Sequence, residues 1–158
     1  MERLSYIVVY LDTNCIGARG RDPFINELYR LADEEKIAIE TTETQENELR
    51  EGKGYPLGTK KIFGLIESFN EADSIDSRSE NHLLGEILQI LWGKKDNLTK
   101  QQERDGRLIA ASIKYGGMFF VTKEKNLLFK ADYLEKKYRI KIRTPRDCLE
   151  EVKNLMAG

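Results

Sequence analysis

The sequence predicts an α/β fold: a single three-layer domain in which a mostly parallel sheet of four to five strands is flanked by helices. Short runs of apolar, β-prone residues alternate along the chain with longer segments of helical periodicity. The chain has 158 residues, which suits one domain with a proper core. With 40% hydrophobic and 34% charged residues, the composition is typical of a globular protein and not of a disordered one.

The first elements are a strand, a helix and a second strand. The apolar run YIVVYL (6–11) predicts a strand that is covered on both faces. Asp22 can cap a helix over residues 21–36, and Pro23 suits its first position. The run IAIET (37–41) predicts the second strand, and residues 44–52 a short helix that Gly52 closes. The helical stripe expected to face the core consists of Phe24, Leu28, Leu31 and Ala32.

The middle of the chain is predicted to be helical. Residues 61–73 and 79–95 have helical periodicity, and with the loop before them they form an expected helical insertion at about 52–98 of the single domain 1–158. In the next segment, Thr99 stands three residues before Gln102, which is a capping-box pattern. This pattern predicts a helix that stops at the two glycines 116–117.

Predicted strands and helices alternate again in the C-terminal part of the chain. Residues 118–122 and 139–144 predict strands, residues 124–138 are helical in part, and residues 145–156 predict a closing helix that begins with proline. Strands that alternate with helices imply parallel pairing through right-handed crossovers. In such sheets the functional residues lie beyond the carboxyl ends of the strands.

Charge, cysteine and histidine content exclude several classes of site. The net charge is −1, so nucleic-acid binding would need a local basic patch. Cys15 and Cys148 have no metal-ligand spacing, and we expect free buried thiols in a reducing cytoplasm. One histidine, His82, argues against a multi-histidine zinc site. No apolar run is long enough for a membrane span, and we expect no membrane association.

Four acidic residues follow or approach the predicted strand ends. Asp12 ends the first strand, Glu124 follows the third, Glu48 lies in the helix after the second, and Asp105 lies in the helix that leads into the third. Converging carboxylates repel one another unless their pKa values rise or they bind a hard cation. Mg²⁺ or Mn²⁺ with oxygen ligands fits this set. Such ions catalyse phosphodiester hydrolysis, so the pattern indicates a metal-dependent nuclease.

The same residues resemble the motifs of PIN-domain nucleases. LDTN (11–14) is similar to their first motif, ENELRE (46–51) with Glu48 to the second, Asp105 before RLIAAS to the third, and VTKEKN (121–126) to the threonine-acid motif. The strand, proline and helix of RIKIRTPRDCLEEV (139–152) resemble the usual ending. The resemblance covers nearly the whole chain. It implies a PIN-like fold and a Mg²⁺- or Mn²⁺-dependent endoribonuclease that cleaves single-stranded or structured RNA.

The resemblance also implies a biological setting. Many relatives are VapC-like toxins that pair with an antitoxin protein, and others act in RNA processing. A cytoplasmic homodimer is the expected form. The apolar stripe at 83–92 is too broad for one core face, so we expect it to serve partly as core and partly as a dimer or antitoxin surface.

Two positions depart from the family pattern. The fourth acid is usually aspartate and here is Glu124, and the second aspartate that often follows is here Asn126. These departures support an alternative hypothesis, a catalytically weakened PIN-like module that binds RNA or a protein. A third hypothesis, a phosphohydrolase with an aspartate after its first strand, requires an acid at the position that Asn14 occupies.

Each candidate residue also has a purely structural interpretation. Asp12 could cap the next turn with Thr13 and Asn14, and Asn14 is expected to hold the loop that positions Asp12. Thr13 either caps or contacts phosphate, and Thr122 supports the site. Local competitors for the acidic roles are Glu43, Glu46 and Glu103. The basic residues that would contact phosphate or remain solvated are Lys53, Lys60, Lys61, Arg104, Arg107, Lys123 and Lys125.

Overall fold

The computed structural model describes residues 7–42, 68–69 and 77–158. Within these ranges the strands are β1 (Val8–Leu11), β2 (Ala38–Thr42), β3 (Ser68–Phe69), β4 (Phe119–Val121) and β5 (Lys141–Arg143). The helices are α1 (Thr13–Ile16), α2 (Pro23–Asp33), α3 (Ser77–Trp92), α4 (Lys100–Lys114), α5 (Lys125–Leu128), α6 (Ala131–Tyr138) and α7 (Pro145–Ala157).

The strands form one sheet with the order β3-β2-β1-β4-β5, and every pairing is parallel. The α/β class and the parallel sheet that the sequence predicts are therefore confirmed. The chain moves outward from β1 to β2 and β3, and then returns to add β4 on the other side of β1. This reversal creates a topological switch point, a crevice beyond the carboxyl ends of β1 and β4 where α/β proteins bind ligands.

Helices cover both faces of the sheet, which gives three layers. Val9 and Leu11 of β1 point to the face that α2 and α7 cover, where Leu28 and Val152 lie in the same buried cluster. The intervening Tyr10 belongs to a second cluster on the opposite face. That cluster joins Tyr10 to the helical residues Ile87, Leu91, Leu108, Ile109 and Leu134. The alternation follows from the two-residue period of a strand, and it explains why β1 reads as continuously apolar.

The predicted helix signals are largely confirmed. The Asp22 carboxylate accepts the N–H groups of Phe24 and Ile25 at 2.9 and 3.1 Å. Thr99 and Gln102 form the full capping box at the start of α4. The prediction that Phe24 faces the core is wrong, because its side chain is 37% exposed and Ile25 is fully buried instead. Since Pro23 is the first residue of α2, the buried stripe begins at Ile25.

The predicted helix over residues 61–73 is wrong at residues 68–69. Ser68–Phe69 forms the edge strand β3, in which Ser68 pairs with Thr41. A short apolar run does not distinguish a strand from a helix by periodicity, because its pairing partner decides. The expected insertion at 52–98 therefore includes a strand as well as α3. The predicted helix at 44–52 and the loop at 52–61 lie outside the described residues.

The apolar stripe of α3 packs within the chain. Ile87, Leu88 and Leu91 are buried, and the other large apolar residues from Leu83 to Trp92 are partly buried against the second cluster. The Trp92 indole donates a hydrogen bond to the Gln102 carbonyl at 3.1 Å, which ties α3 to α4. None of the helices in the described part of the chain combines the length and the apolar character that crossing a membrane requires.

The turn before β4 allows a close approach that only glycine permits. A Cβ atom on Gly117 would lie 2.8 Å from Tyr10 Cδ1 and 3.0 Å from the Ser112 carbonyl oxygen. Gly117→Ala should therefore lower the free energy of unfolding by about 1–3 kcal/mol, because a ring in the core and a helix carbonyl would both have to move. Urea denaturation followed by circular dichroism measures the change.

Gly85→Ala is the matched control. Its new Cβ would lie 3.7 Å from the Lys95 side chain, which is an ordinary contact. Alanine is favoured over glycine in a helix by about 1 kcal/mol, so this variant should be as stable as the wild type or slightly more stable. Equal destabilisation by both variants would contradict the close approach at Gly117.

Candidate functional site

Asp12 lies at the switch point with its carboxylate inside the protein. Its backbone N–H donates to the Val121 carbonyl at 2.8 Å, which extends the β1–β4 ladder by one residue. Its carbonyl accepts the N–H groups of Cys15 and Ile16, and so Asp12 also begins α1. Held from both sides, the residue is only 3% exposed. A carboxylate at such a depth requires compensating hydrogen bonds or charge.

Thr122 provides one of those hydrogen bonds. This fully buried residue follows β4, and its hydroxyl donates to Asp12 Oδ2 at 2.7 Å. The same hydroxyl oxygen accepts the N–H of Glu124 at 3.0 Å. Because an amide N–H can only donate, that contact leaves the hydroxyl proton directed at Asp12. The Thr122 N–H donates to the Arg143 carbonyl at 2.9 Å, so the residue links the ends of three strands.

Asp105 is a second buried carboxylate and is 5% exposed. Gln101, one turn earlier in α4, donates to Asp105 Oδ1 at 2.9 Å. The short connection from α4 into β4 makes the helix run antiparallel to the strand, so its first turns lie towards the carboxyl edge of the sheet. Leu108, which packs with Tyr10, is about 4.5 Å further along the helix axis than Asp105. Asp105 therefore lies on the same face as Tyr10, towards the edge where Asp12 lies.

The other predicted site residues are placed differently. Glu124 and Asn126 are exposed, at and just beyond the start of α5. Thr13 is half-buried in α1, and Asn14 is exposed. The role of Asn14 in holding the loop that positions Asp12 stays a prediction, and the Asp12 carboxylate accepts a hydrogen bond from Thr122 on the neighbouring strand. Glu48 and its competitors Glu43 and Glu46 lie outside the described residues, as do Lys53, Lys60 and Lys61. Glu103, the competitor of Asp105, is exposed.

Of the four predicted carboxylates, only Asp12, Asp105 and Glu124 lie in the described ranges, so the convergence of all four stays a prediction. Among the residues of 7–42, 68–69 and 77–158, no three His, Cys, Asp or Glu side chains form a group that could hold a metal ion. The structure places Asp12 and Asp105 on one face and towards one edge of the sheet, and leaves Glu124 at the surface.

Sequence reasoning missed a third buried carboxylate, Glu40, which is 7% exposed in β2. The Tyr10 hydroxyl donates to Glu40 Oε1 at 2.9 Å, and the two residues are directly paired across β1 and β2. Burial, together with the charge of Glu40 and this hydrogen bond, raises the pKa of Tyr10 far above its usual range. The available signal was a lone acid in the otherwise apolar run IAIET. Two-residue periodicity places Tyr10 and Asp12 on the same face, so Glu40 lies next to the candidate site.

An ion pair fixes the turn that carries Glu124. Lys123 Nζ lies 2.6 Å from Asp22 Oδ2, which connects the segment after β4 to the start of α2. Partial burial would raise the pKa of Asp22, but the hydrogen bond from Lys123 and those from Ile25 and Phe24 prevail and lower it. Lys123, expected as a phosphate contact, is thus paired with an acid.

Both cysteines are free and buried, as the sequence predicts. Burial and the nearby negative charge of Asp12 raise the pKa of the Cys15 thiol to about 12. Burial likewise raises the pKa of Cys148. Both thiols are therefore neutral at physiological pH and are not suited to act as nucleophiles.

Comparison of the chain with protein-family models, with curated proteins and with solved structures finds no match. The likeness to PIN-domain nucleases therefore rests on the motifs in the sequence. The switch-point geometry is a separate observation, which α/β proteins of many functions share.

The Thr122 hydroxyl can be tested by two substitutions. Thr122→Val keeps the shape but removes the donor to Asp12, so the free energy of unfolding should fall by about 1–3 kcal/mol. Thr122→Ser keeps the hydroxyl, so its free energy of unfolding should fall clearly less than that of the valine variant. Urea denaturation at pH 7 measures both. A valine variant as stable as the wild type would show that this hydrogen bond contributes nothing to stability.

Asp22 makes a pH-dependent contribution. Asp22→Ala should lower the free energy of unfolding by about 1 kcal/mol through loss of the helix cap, and by a smaller amount through loss of the ion pair. Asp22→Asn keeps the cap and loses only the ion pair. Because folding lowers the pKa of Asp22, its charge stabilises the fold above the ordinary value of 3.8. This contribution is lost as the pH falls through the lower, folded-state pKa.

The stability difference between wild type and Asp22→Asn should therefore be constant from pH 7 to pH 5 and shrink below 3.8. Urea titrations at a series of pH values measure this difference. A difference that grows on acidification would contradict the assignment.

Proposed function

We propose that the chain is a Mg²⁺- or Mn²⁺-dependent endoribonuclease of the PIN type that cleaves single-stranded or structured RNA. The observation that carries the proposal is the buried Asp12 carboxylate at the switch point, held by the Thr122 hydroxyl. The buried Asp105 on the same face supports it. Acids retained in a core are costly for stability and are typical of functional sites.

The chemistry of these side chains suits a hard divalent cation. Carboxylate oxygens are the ligands that Mg²⁺ and Mn²⁺ prefer. Asp12 and Asp105 would hold the ion, with Glu48 and Glu124 as the further proposed ligands. When bound, such an ion activates water and neutralises charge on the phosphodiester.

The chain's own residues would prepare the site in four ways. Thr122 fixes the direction of one Asp12 oxygen, and burial around Asp12 excludes bulk water. The Lys123–Asp22 ion pair holds the turn from which Glu124 extends. Arg104 is adjacent to Asp105 in the sequence, and Lys125 is adjacent to Glu124. These cations would bind the phosphates on either side of the scissile bond.

The biological setting follows from the family likeness. We propose a cytoplasmic protein that forms a homodimer and acts as the toxin of a toxin–antitoxin pair. The α3 residues that are only partly buried, from Leu83 to Trp92, are the proposed contact region for the second copy or the antitoxin.

A second candidate function is a catalytically weakened PIN-like module that binds RNA or a protein partner. The observation that favours it is the exposure of Glu124 and Asn126, the two positions that depart from the family pattern. A glutamate at the surface has more rotamers to lose on ligation than a buried, oriented aspartate, which weakens its contribution as a ligand.

Cleavage of a fluorescent single-stranded RNA tests the proposal. We expect cleavage in Mg²⁺ or Mn²⁺ and none in EDTA. Asp12→Asn and Asp105→Asn should each reduce the rate by more than about 100-fold, because even outer-shell changes at metal sites cost about 10- to 100-fold. Asp33→Asn, at an exposed aspartate near the end of α2, is the matched control and should cleave at the wild-type rate.

Two outcomes would decide against the enzyme. Undiminished cleavage by Asp12→Asn would assign the activity to another site or to a contaminating nuclease. A folded wild-type protein that binds RNA but cleaves it in neither metal would favour the binding module.

A further inference from the structure

Two large aromatic side chains stand at the surface where α5 meets α6. Phe129 is 82% exposed and Tyr133 is 50% exposed. In the same segment, Leu127 and Leu134 are fully buried in the core. The core contacts of these short helices are thus made by the leucines, and the two rings are not needed to anchor them. Both rings are therefore available for contact with a ligand.

Phe129 follows the turn that carries Glu124 by one short helix. α5 begins directly after Glu124, and the Phe129 N–H donates to the Lys125 carbonyl at 2.9 Å, which continues the helical turn. At 1.5 Å of rise per residue, Phe129 is about 7 Å along the axis from Glu124. A nucleic acid that placed a phosphate at the carboxyl edge of the sheet would bring neighbouring nucleotides to these rings.

The charges around the rings favour a polyanion. Lys125, Lys130 and Lys136 lie within this segment, and Lys130 Nζ is 5.6 Å from the centre of the Phe129 ring. The acids in α6 are Asp132, which is exposed, and Glu135, which forms an ion pair with Arg143 at 2.9 Å, so lysines outnumber acids in this segment. Surfaces that bind other proteins are depleted in lysine. Lysines interleaved with aromatic rings are typical of sites for single-stranded nucleic acid.

We propose that Phe129 and Tyr133 form a stacking platform for the bases of single-stranded RNA, with Lys125 and Lys130 contacting its phosphates. This inference rests on the proposed nuclease function and names its substrate class at the surface beside the site. Stacking on a ring is available to every base, so the platform selects unpaired RNA without selecting its sequence. Duplex RNA, whose bases are already stacked and paired, should bind more weakly.

Binding in EDTA, measured by fluorescence anisotropy of a labelled oligouridylate, tests the platform without requiring cleavage. Phe129→Ala and Tyr133→Ala should each raise the Kd by about tenfold, in the range that loss of one base–aromatic stack produces. Phe129→Leu should weaken binding similarly, because it keeps apolar area but loses the ring, whereas Phe129→Trp should retain affinity. The control is Leu155→Ala, at a half-exposed apolar residue of α7, which should bind like the wild type.

The salt dependence of RNA binding distinguishes the contribution of the rings from that of the lysines. Lys130→Ala should reduce the slope of log K against log salt concentration by about 0.7, whereas Phe129→Ala should lower affinity with the slope unchanged. Because both side chains are at the surface, the far-ultraviolet circular dichroism of all variants should match that of the wild type.

Several outcomes would overturn the platform. These are a wild type that does not bind RNA, Phe129→Ala or Phe129→Leu with wild-type affinity, or ring variants that change the sedimentation coefficient while RNA affinity stays constant. The last result would assign the rings to a contact between copies of the chain. A failure of the proposed nuclease function gives a different result. If RNA binding depends on the rings but no metal-dependent cleavage occurs, the nuclease proposal is contradicted and the platform proposal is supported.

Discussion

The hydrogen bond from Thr122 to Asp12 is the interaction on which the arrangement of the sheet centre and the candidate site both depend. It exists because β1 and β4 pair with Leu11 opposite Val121, so that the next residues of both strands are opposite one another. A slip of one residue would turn the Thr122 side chain to the other face and leave a buried carboxylate without this donor. The same contact that satisfies Asp12 therefore also specifies the strand register.

The two faces of the sheet differ in chemistry. The face that α2 and α7 cover is built from apolar side chains and the two cysteines. Asp12 and Glu40 project to the other face, over which α4 places Asp105, so the three carboxylates buried in the described part of the chain lie on one side. Burying several acids next to an apolar cluster lowers stability unless hydrogen bonds or a cation compensate. Local departures from the best packing are expected at functional sites, which supports the assignment of function to this face.

In the proposed enzyme, the cation would bind at this interior edge and the RNA would bind mainly at the adjacent surface. The buried acids favour a cation and repel the polyanionic substrate, so affinity for RNA has to come from outside them. In the proposal, Lys125 and Lys130 with the ring of Phe129 would provide that affinity immediately after the acidic turn. Such a local patch would allow a chain with a net charge of −1 to bind RNA.

The sequence by itself determined the elements whose signals are local. Strands β1 and β4, the Asp22 cap, the capping box of α4 and the position of Asp12 directly after β1 depend on neighbours within a few residues, so they were predictable. Only the tertiary structure decided that Thr122 contacts Asp12 across 110 positions, that Glu40 is buried against Tyr10, and that residues 68–69 pair as a strand. These outcomes depend on register and burial, which are set by segments distant in the sequence and leave no periodic signal at the residues concerned.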